Sequence, residues 1–249
     1  MPTPPTPSGP DGQPALPYRD ADALTNHWWW RPGWQVGTRF YAWHIPVVDL
    51  PPLAEHVAAY QTALRPFRFL DLIPRQWLHI TVQGLDHTHA VDDARRDAVV
   101  EAVRTQLATV PVPVLTFDQP VLHGEAVVIP PTDPVPLRDI RDAIRAGISA
   151  SYGTPEGSPS NGYRPHTSAA YVNTAADPEP VRAAFDVLDV PAVQVRVPFV
   201  SLIEMHRDRR MYEWRVITTA QLSTDLEGVR ADAISGDEIS DGGIGDAHG

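Results

Sequence analysis

The sequence predicts an α+β fold built on largely antiparallel sheets, with a weak internal duplication. Three observations predict it. Strand-like and helix-like patterns alternate along the chain, two pairs of strand-like segments are separated only by short turns, and a histidine-bearing strand of one pattern occurs in each half.

A chain of 249 residues, 43% of them hydrophobic, is long enough for one large domain or two coupled lobes around a real core. The two ends read differently. "MPTPPTPSGPDGQPALP" has seven prolines in 17 residues and little to bury, so residues 1–26 are expected to be a disordered Pro-rich arm. Residues 222–249 carry seven acids against Arg230 and have no helical or strand period, so a disordered acidic tail is expected there. The folded body is then 27–221.

Within it, "RFYAWHIPV" (39–47) reads as a strand from its aromatic and β-branched content, and "PLAEHVAAYQTAL" (52–64) has helical spacing with a proline at its start. "WLHITVQGL" (77–85) is the next strand. Residues 90–110 form the clearest amphipathic helix, with Val99, Val100, Val103 and Leu107 on one side. Two extended segments, 112–122 and 125–131, are joined through His123-Gly124 in the manner of a hairpin. Residues 137–153 read as a helix closed by Gly153. The loop "TPEGSPSNG" leads into the short strand "YRPHTSAAYVN" (163–173), then a helix over 178–188. The chain closes with "VQVRVPFVSLIEMHR" and "RMYEWRVITTAQL", an antiparallel pair around Asp208-Arg209.

Composition excludes several chemistries. There is no cysteine, so disulfides, thiolate metal sites and thiol nucleophiles are ruled out. All 20 basic residues are arginine, which removes Schiff-base and P-loop chemistry. The net charge of -11 is concentrated in the two ends, leaving the body near -3, compatible with a small nucleotide or an RNA end and not with coating long duplexes. No run is long enough to span a membrane and no secretory signal opens the chain, so a cytoplasmic protein without a membrane partner is expected.

In a strand, residues i and i+2 share a face, so His79 and Thr81 project together while Leu78, Ile80 and Val82 face the core. His166 and Ser168 repeat that geometry in the second half. A single His-x-Ser/Thr is a weak pattern in a chain with ten histidines; two copies in equivalent places are what a pseudo-twofold site needs.

These stretches, "WLHITVQGL" and "YRPHTSAAY", together with the closing "VSLIEMHRDRRMYEWRVI", resemble the two-histidine (2H) phosphoesterase superfamily in its 2'-5' RNA ligase and cyclic phosphodiesterase branch. The likeness covers about residues 38–221. It implies two pseudo-symmetric lobes, each a mainly antiparallel sheet backed by helices, with the motif strands facing a central cleft. It implies His79 and His166 as general acid and base, Thr81 and Ser168 as holders of the phosphate oxygens, and no cofactor. Tyr171 stands where some relatives carry a basic residue and is a substrate-binding candidate together with Arg75, Arg164 and Tyr163, the last matching the family's aromatic three places before the second histidine.

The chemistry suits these side chains. In-line displacement at phosphorus needs a group to take a proton from the attacking oxygen and another to protonate the leaving oxygen, and histidine can do either near neutrality. The implied activity is hydrolysis, or reversible ligation, of 2',3'-cyclic phosphate or 2'-5' bonds in RNA ends or small nucleotides, by a monomer. The alternatives are a non-catalytic nucleotide or RNA-end binding module on the same fold, and a metal hydrolase using His87, His89 and a remote carboxylate, for which no third ligand is evident. "NHWWWRPGW" (26–34) is read as an aromatic clasp on the body, with a base-stacking lid as the other option. His44, sharing a face with Phe40 and Ala42, is read as a core residue.

Overall fold

The strand Phe40–Pro46 (β1) is buried at all seven residues, one face in the main core and the other in a small cluster beside the cleft. The structure, a computed structural model, describes residues 18–155 and 162–224. The expected arm up to residue 17, most of the 154–162 loop and the acidic tail from 225 onward lie outside the described residues.

Nine further strands follow: Leu70–Leu72 (β2), His79–His87 (β3), Val114–Phe117 (β4), Val121–His123 (β5), Ala126–Ile129 (β6), Thr167–Val172 (β7), Val193–Arg196 (β8), Phe199–His206 (β9) and Glu213–Gln221 (β10). Eight of the strands make one antiparallel sheet in the order β10-β9-β1-β3-β7-β6-β5, with β2 on β7. It is two four-stranded halves. The halves meet through a single residue pair, Ile80 with Thr167, between β3 and β7.

Each half is backed by its own pair of helices. Pro51–Leu64 (α1) packs on the β2/β7 half with Glu179–Asp186 (α4) against it, while Asp93–Leu107 (α2) and Val135–Ser151 (α3) pack together on the β3/β10 half. The chain crosses over to achieve this: α1 follows a strand of one half and covers the other, and so does α3. Helix α2 buries Val99, Val100, Val103 and Leu107, the face its spacing predicts, and starts at Asp92, whose carboxylate accepts from the Arg95 N–H. Gln61 on α1 donates to the carbonyls of Ile73 and Ala169, fixing the helix against β7.

Alternation in β1 sorts its side chains. Tyr41, Trp43 and Ile45 belong to the main core under the helices; Phe40 and Ala42 join Ile203 and Met205 in a small cluster on the opposite face. That opposite face lines the cleft.

The structure differs from the sequence expectations at five places. Residues 112–122 are not one strand: Pro120 removes a ladder donor, and β4 leaves the large sheet to pair with β8. The β5–β6 hairpin turns at Gly124, with φ 58. Likewise Pro198 divides the long strand read from 193 to 207 into β8 and β9. Strand β2 carries no signal in the sequence, being only three residues long. Residues 18–26 are not a solvated arm: Leu24 exchanges backbone hydrogen bonds with Ala176 and is 1% exposed, and the Ala21 N–H donates to the Leu122 carbonyl. At the other end Leu222 and Ser223 are tied to Pro198 and Val110, so the folded body reaches past residue 221.

Candidate active site

A cleft of about 420 Å³ opens where the two halves of the sheet meet, and His79, Thr81, His166 and Ser168 all line it. The backbone dictates this convergence. Ile80 and Thr167 are paired and buried at 0%, so their neighbours on either side point to the opposite face. By the antiparallel sense of that pair, His79 lies across from Ser168 and Thr81 across from His166.

The two imidazoles are held alike. His79 Nδ1 is 2.8 Å from the Trp77 carbonyl and His166 Nδ1 is 2.9 Å from the Arg164 carbonyl, each two residues upstream. A carbonyl only accepts, so Nδ1 carries the hydrogen in both rings and Nε2 is left with its lone pair. Burial in the cleft pushes both histidines down to about 4, against the carbonyl bonds, which favour the charged form; each also feels a neighbouring histidine, His166 for His79 and His123 for His166.

Further histidines surround them. His44 is buried, lies parallel to His79 with ring centroids 4.4 Å apart, and puts Nε2 3.3 Å from Thr81 Oγ1. Desolvation, then the neighbouring His79, hold it well below its ordinary value. His27 stacks on Tyr171 at 4.3 Å, and burial together with Arg31 and Arg207 lowers it to about 3. His123 lines the cleft beside Tyr18, with a ring separation of 5.3 Å.

The remaining sequence candidates divide. Tyr171 lines the cleft with Ser168, and burial raises its hydroxyl well above the ordinary tyrosine value. Tyr163 does not line it: its buried hydroxyl donates to the Thr81 carbonyl at 2.5 Å and Arg141 covers its ring at 4.5 Å, so it braces the motif strand instead of meeting a ligand. Arg164 contributes its carbonyl, while its guanidinium sits 6.0 Å from the Tyr18 ring. Arg75 is exposed in the short 3-10 turn Arg75–Trp77, away from the cleft-lining residues.

Sequence reasoning misses Tyr18, His27, His44 and Arg207. Tyr18 donates its hydroxyl to the Arg164 carbonyl at 2.6 Å and lies 2.8 Å from His166 Nδ1. It sits beside the proline-rich run, so composition hides it. The alternation in β1 does place His44 with Phe40 and Ala42, but that face belongs to the cleft. The Trp-rich stretch is a clasp, as expected, with Trp28 Nε1 donating to Asp71 and Trp29 Nε1 to Glu125, each at 2.8 Å. It also supplies His27, Arg31 and Trp34 to the cleft wall. His87 and His89 stack on each other 5.4 Å apart, and among the described residues no group of three or more His, Asp or Glu side chains could hold a metal ion.

A bilobal antiparallel α+β fold with paired His-x-Ser/Thr strands across one cleft defines the 2H phosphoesterase class. The chain belongs to the 2'-5' RNA ligase superfamily, whose family model matches residues 50–209, more than half of its length. Solved structures share the fold. TT0787 of Thermus thermophilus superposes with a TM-score of 0.55 at 16% identity, covering 76% of this chain and 99% of that one. E. coli LigT, solved in complex with 3'-AMP, gives a TM-score of 0.54 at 16% identity over 75% of this chain and 99% of LigT. A structure described as a phosphoesterase gives 0.51 at 17% identity, covering 75% and 99%. No curated protein matches the chain in sequence. No helix among the described residues is long and apolar enough to cross a membrane.

Proposed function

We propose that this chain is a metal-independent phosphodiesterase that opens 2',3'-cyclic phosphates or cleaves 2'-5' bonds in RNA ends or small nucleotides, and that the same site runs the reverse ligation. The observation that carries the reading is the matched tethering of His79 and His166, each through Nδ1 to the carbonyl two residues upstream. Both present Nε2 to one cleft with the tautomer already set.

The residues divide the work as follows. A phosphate seated between the motifs meets the Thr81 and Ser168 hydroxyls at its non-bridging oxygens. One imidazole accepts the proton of the attacking water through Nε2; the other, protonated as the anion binds, gives its Nε2 proton to the leaving ribose oxygen. The P–O bond to the leaving oxygen breaks as the bond to water forms, and the two histidines exchange protonation states. In ligation a ribose hydroxyl attacks the cyclic phosphate in place of water, giving its proton to one imidazole while the ring oxygen it displaces takes a proton from the other. The deep desolvation that holds both rings neutral in the free protein is offset by the phosphate charge, so proton uptake accompanies binding. LigT, a structural neighbour solved with 3'-AMP and with ATP, supports a nucleotide in this cleft.

Turnover of a nucleoside 2',3'-cyclic phosphate in excess chelator, by wild type and by His79→Ala and His166→Ala, tests the reading. Each variant is expected to lose at least about a hundredfold in kcat. Full activity in either variant removes the two-histidine mechanism; tight binding of the cyclic nucleotide with no product from wild type would favour a binding module.

A further inference from the structure

We propose that Arg207 is the fixed cation that binds the substrate's phosphate, held for that purpose by the Trp-rich segment 27–34; the assignment of the anion as substrate rests on the phosphoesterase reading. Arg207 lines the cleft and yet is only 3% exposed. A buried guanidinium is ordinarily matched by a carboxylate, since desolvating an uncompensated charge is costly. Arg207 makes no ion pair among the described residues. Its neighbours on the sheet and hairpin do: Arg39 with Asp208 at 2.9 Å, and Arg209 with Glu213. The other cleft arginine, Arg31, is 3.3 Å from Glu125.

What holds Arg207 instead is neutral. Nη2 donates to the carbonyls of Trp29 and His27 at 3.1 and 3.4 Å, and Nη1 approaches the Tyr212 hydroxyl at 3.5 Å. The rings of Trp28, Tyr212 and Trp30 surround the guanidinium carbon at 5.5, 5.5 and 5.7 Å. Aromatic faces and carbonyls orient a cation without cancelling its charge. A guanidinium has five N–H donors, and the three contacts leave donors over for a ligand.

The position connects to the motif. From Arg207 the contacts run through the Tyr212 hydroxyl to His27 Nε2 at 3.3 Å and from His27 to the stacked Tyr171 ring, which lines the cleft with Ser168. Ser168, Tyr171, His27, Tyr212 and Arg207 line the same cleft, so an anion seated in it meets an unneutralised guanidinium on the cleft wall. Charge spread over the phosphoryl oxygens at the transition state is what such a group stabilises, and a planar fork does so with more directional donors than an ammonium. The basic residue missing at position 171 is replaced from the β9–β10 hairpin.

The test uses the full chain and inorganic phosphate as probe, titrated by calorimetry into wild type, Arg207→Met and Arg207→Lys, with thermal melting as the control for folding. Arg207→Met is expected to weaken phosphate binding at least about tenfold and to lower kcat/KM for a nucleoside 2',3'-cyclic phosphate about a hundredfold, with Arg207→Lys between it and wild type. Phosphate bound by Arg207→Met as tightly as by wild type overturns the proposal. If Arg207→Met does not fold, Arg207→Gln, which keeps hydrogen-bond donors and removes the charge, decides, and unchanged affinity there overturns it equally. Arg207-dependent phosphate binding by a wild-type protein that cleaves no phosphodiester would leave the anion site standing and remove the phosphoesterase reading alone.

Discussion

His44 lies flat on His79, their rings 2° from parallel, while its Nε2 reaches Thr81 Oγ1. Its Nδ1 is buried and has no hydrogen-bond partner among the described residues. A hydrogen on that nitrogen would be a desolvated donor, so the neutral ring carries its hydrogen on Nε2 and donates it to Thr81. The Thr81 hydroxyl hydrogen is then turned toward the cleft, where a phosphate oxygen needs it. His44→Phe keeps the stack and removes the donor. Its kcat is expected to fall about tenfold with KM within about twofold. Steady-state kinetics giving the wild-type kcat would show that Thr81 needs no such orientation.

Tyr18 bridges His166 Nδ1 and the Arg164 carbonyl. Tyr18→Phe leaves the ring against His123 and deletes the bridge. The expected result is a kcat about three to ten times lower, on the order of one lost hydrogen bond, with melting nearly unchanged. An unaltered kcat would reduce the segment around Tyr18 to packing.

Acid should loosen the fold through its histidines before its carboxylates. His27 is held near 3 and His79 and His166 near 4 by burial, against about 6.5 in the unfolded chain. The unfolded state therefore binds more protons as pH falls below about 6.5, and stability drops with it until about pH 4. Asp208 and Glu213, held below their ordinary values chiefly by their backbone and arginine partners against desolvation, add their loss only at lower pH. Melting temperature is expected to be flat from about pH 8 to 7 and to decline between about 6.5 and 4.5, with a shallower decline in His27→Gln. A flat profile down to about pH 5 would contradict the burial of these rings.

Helices α2 and α3 touch at Gly147, where a Cβ would come within 2.7 Å of the Val103 backbone. Alanine normally gains about 1 kcal/mol over glycine inside a helix. Here the neighbour is main chain and cannot turn aside, so the clash outweighs the propensity. Gly147→Ala is expected to be destabilised by about 1–3 kcal/mol in urea unfolding, with kcat preserved at low temperature. A stabilised variant would mean that the helix pair can part without cost.

Local patterning was enough to reveal the elements and the reactive pairs. Hydrophobic spacing is a local property, so α2 and its buried face, the strand alternation that presents His79 with Thr81 and His166 with Ser168, and the two hairpins were all legible. Tertiary structure decided what surrounds those pairs. Whether Phe40, Ala42 and His44 face a core or a cleft depends on which sheet half lies opposite, and no spacing in β1 encodes that. Pro120 and Pro198 were visible, but only strand pairing showed that the chain changes sheets at them. Arg207 lies beside a hairpin turn in the sequence, and only the fold closes three aromatic rings from two segments around it. Burial, and with it the electrostatic character of a side chain, is set by contacts between residues far apart in the chain, and a one-dimensional pattern does not carry them.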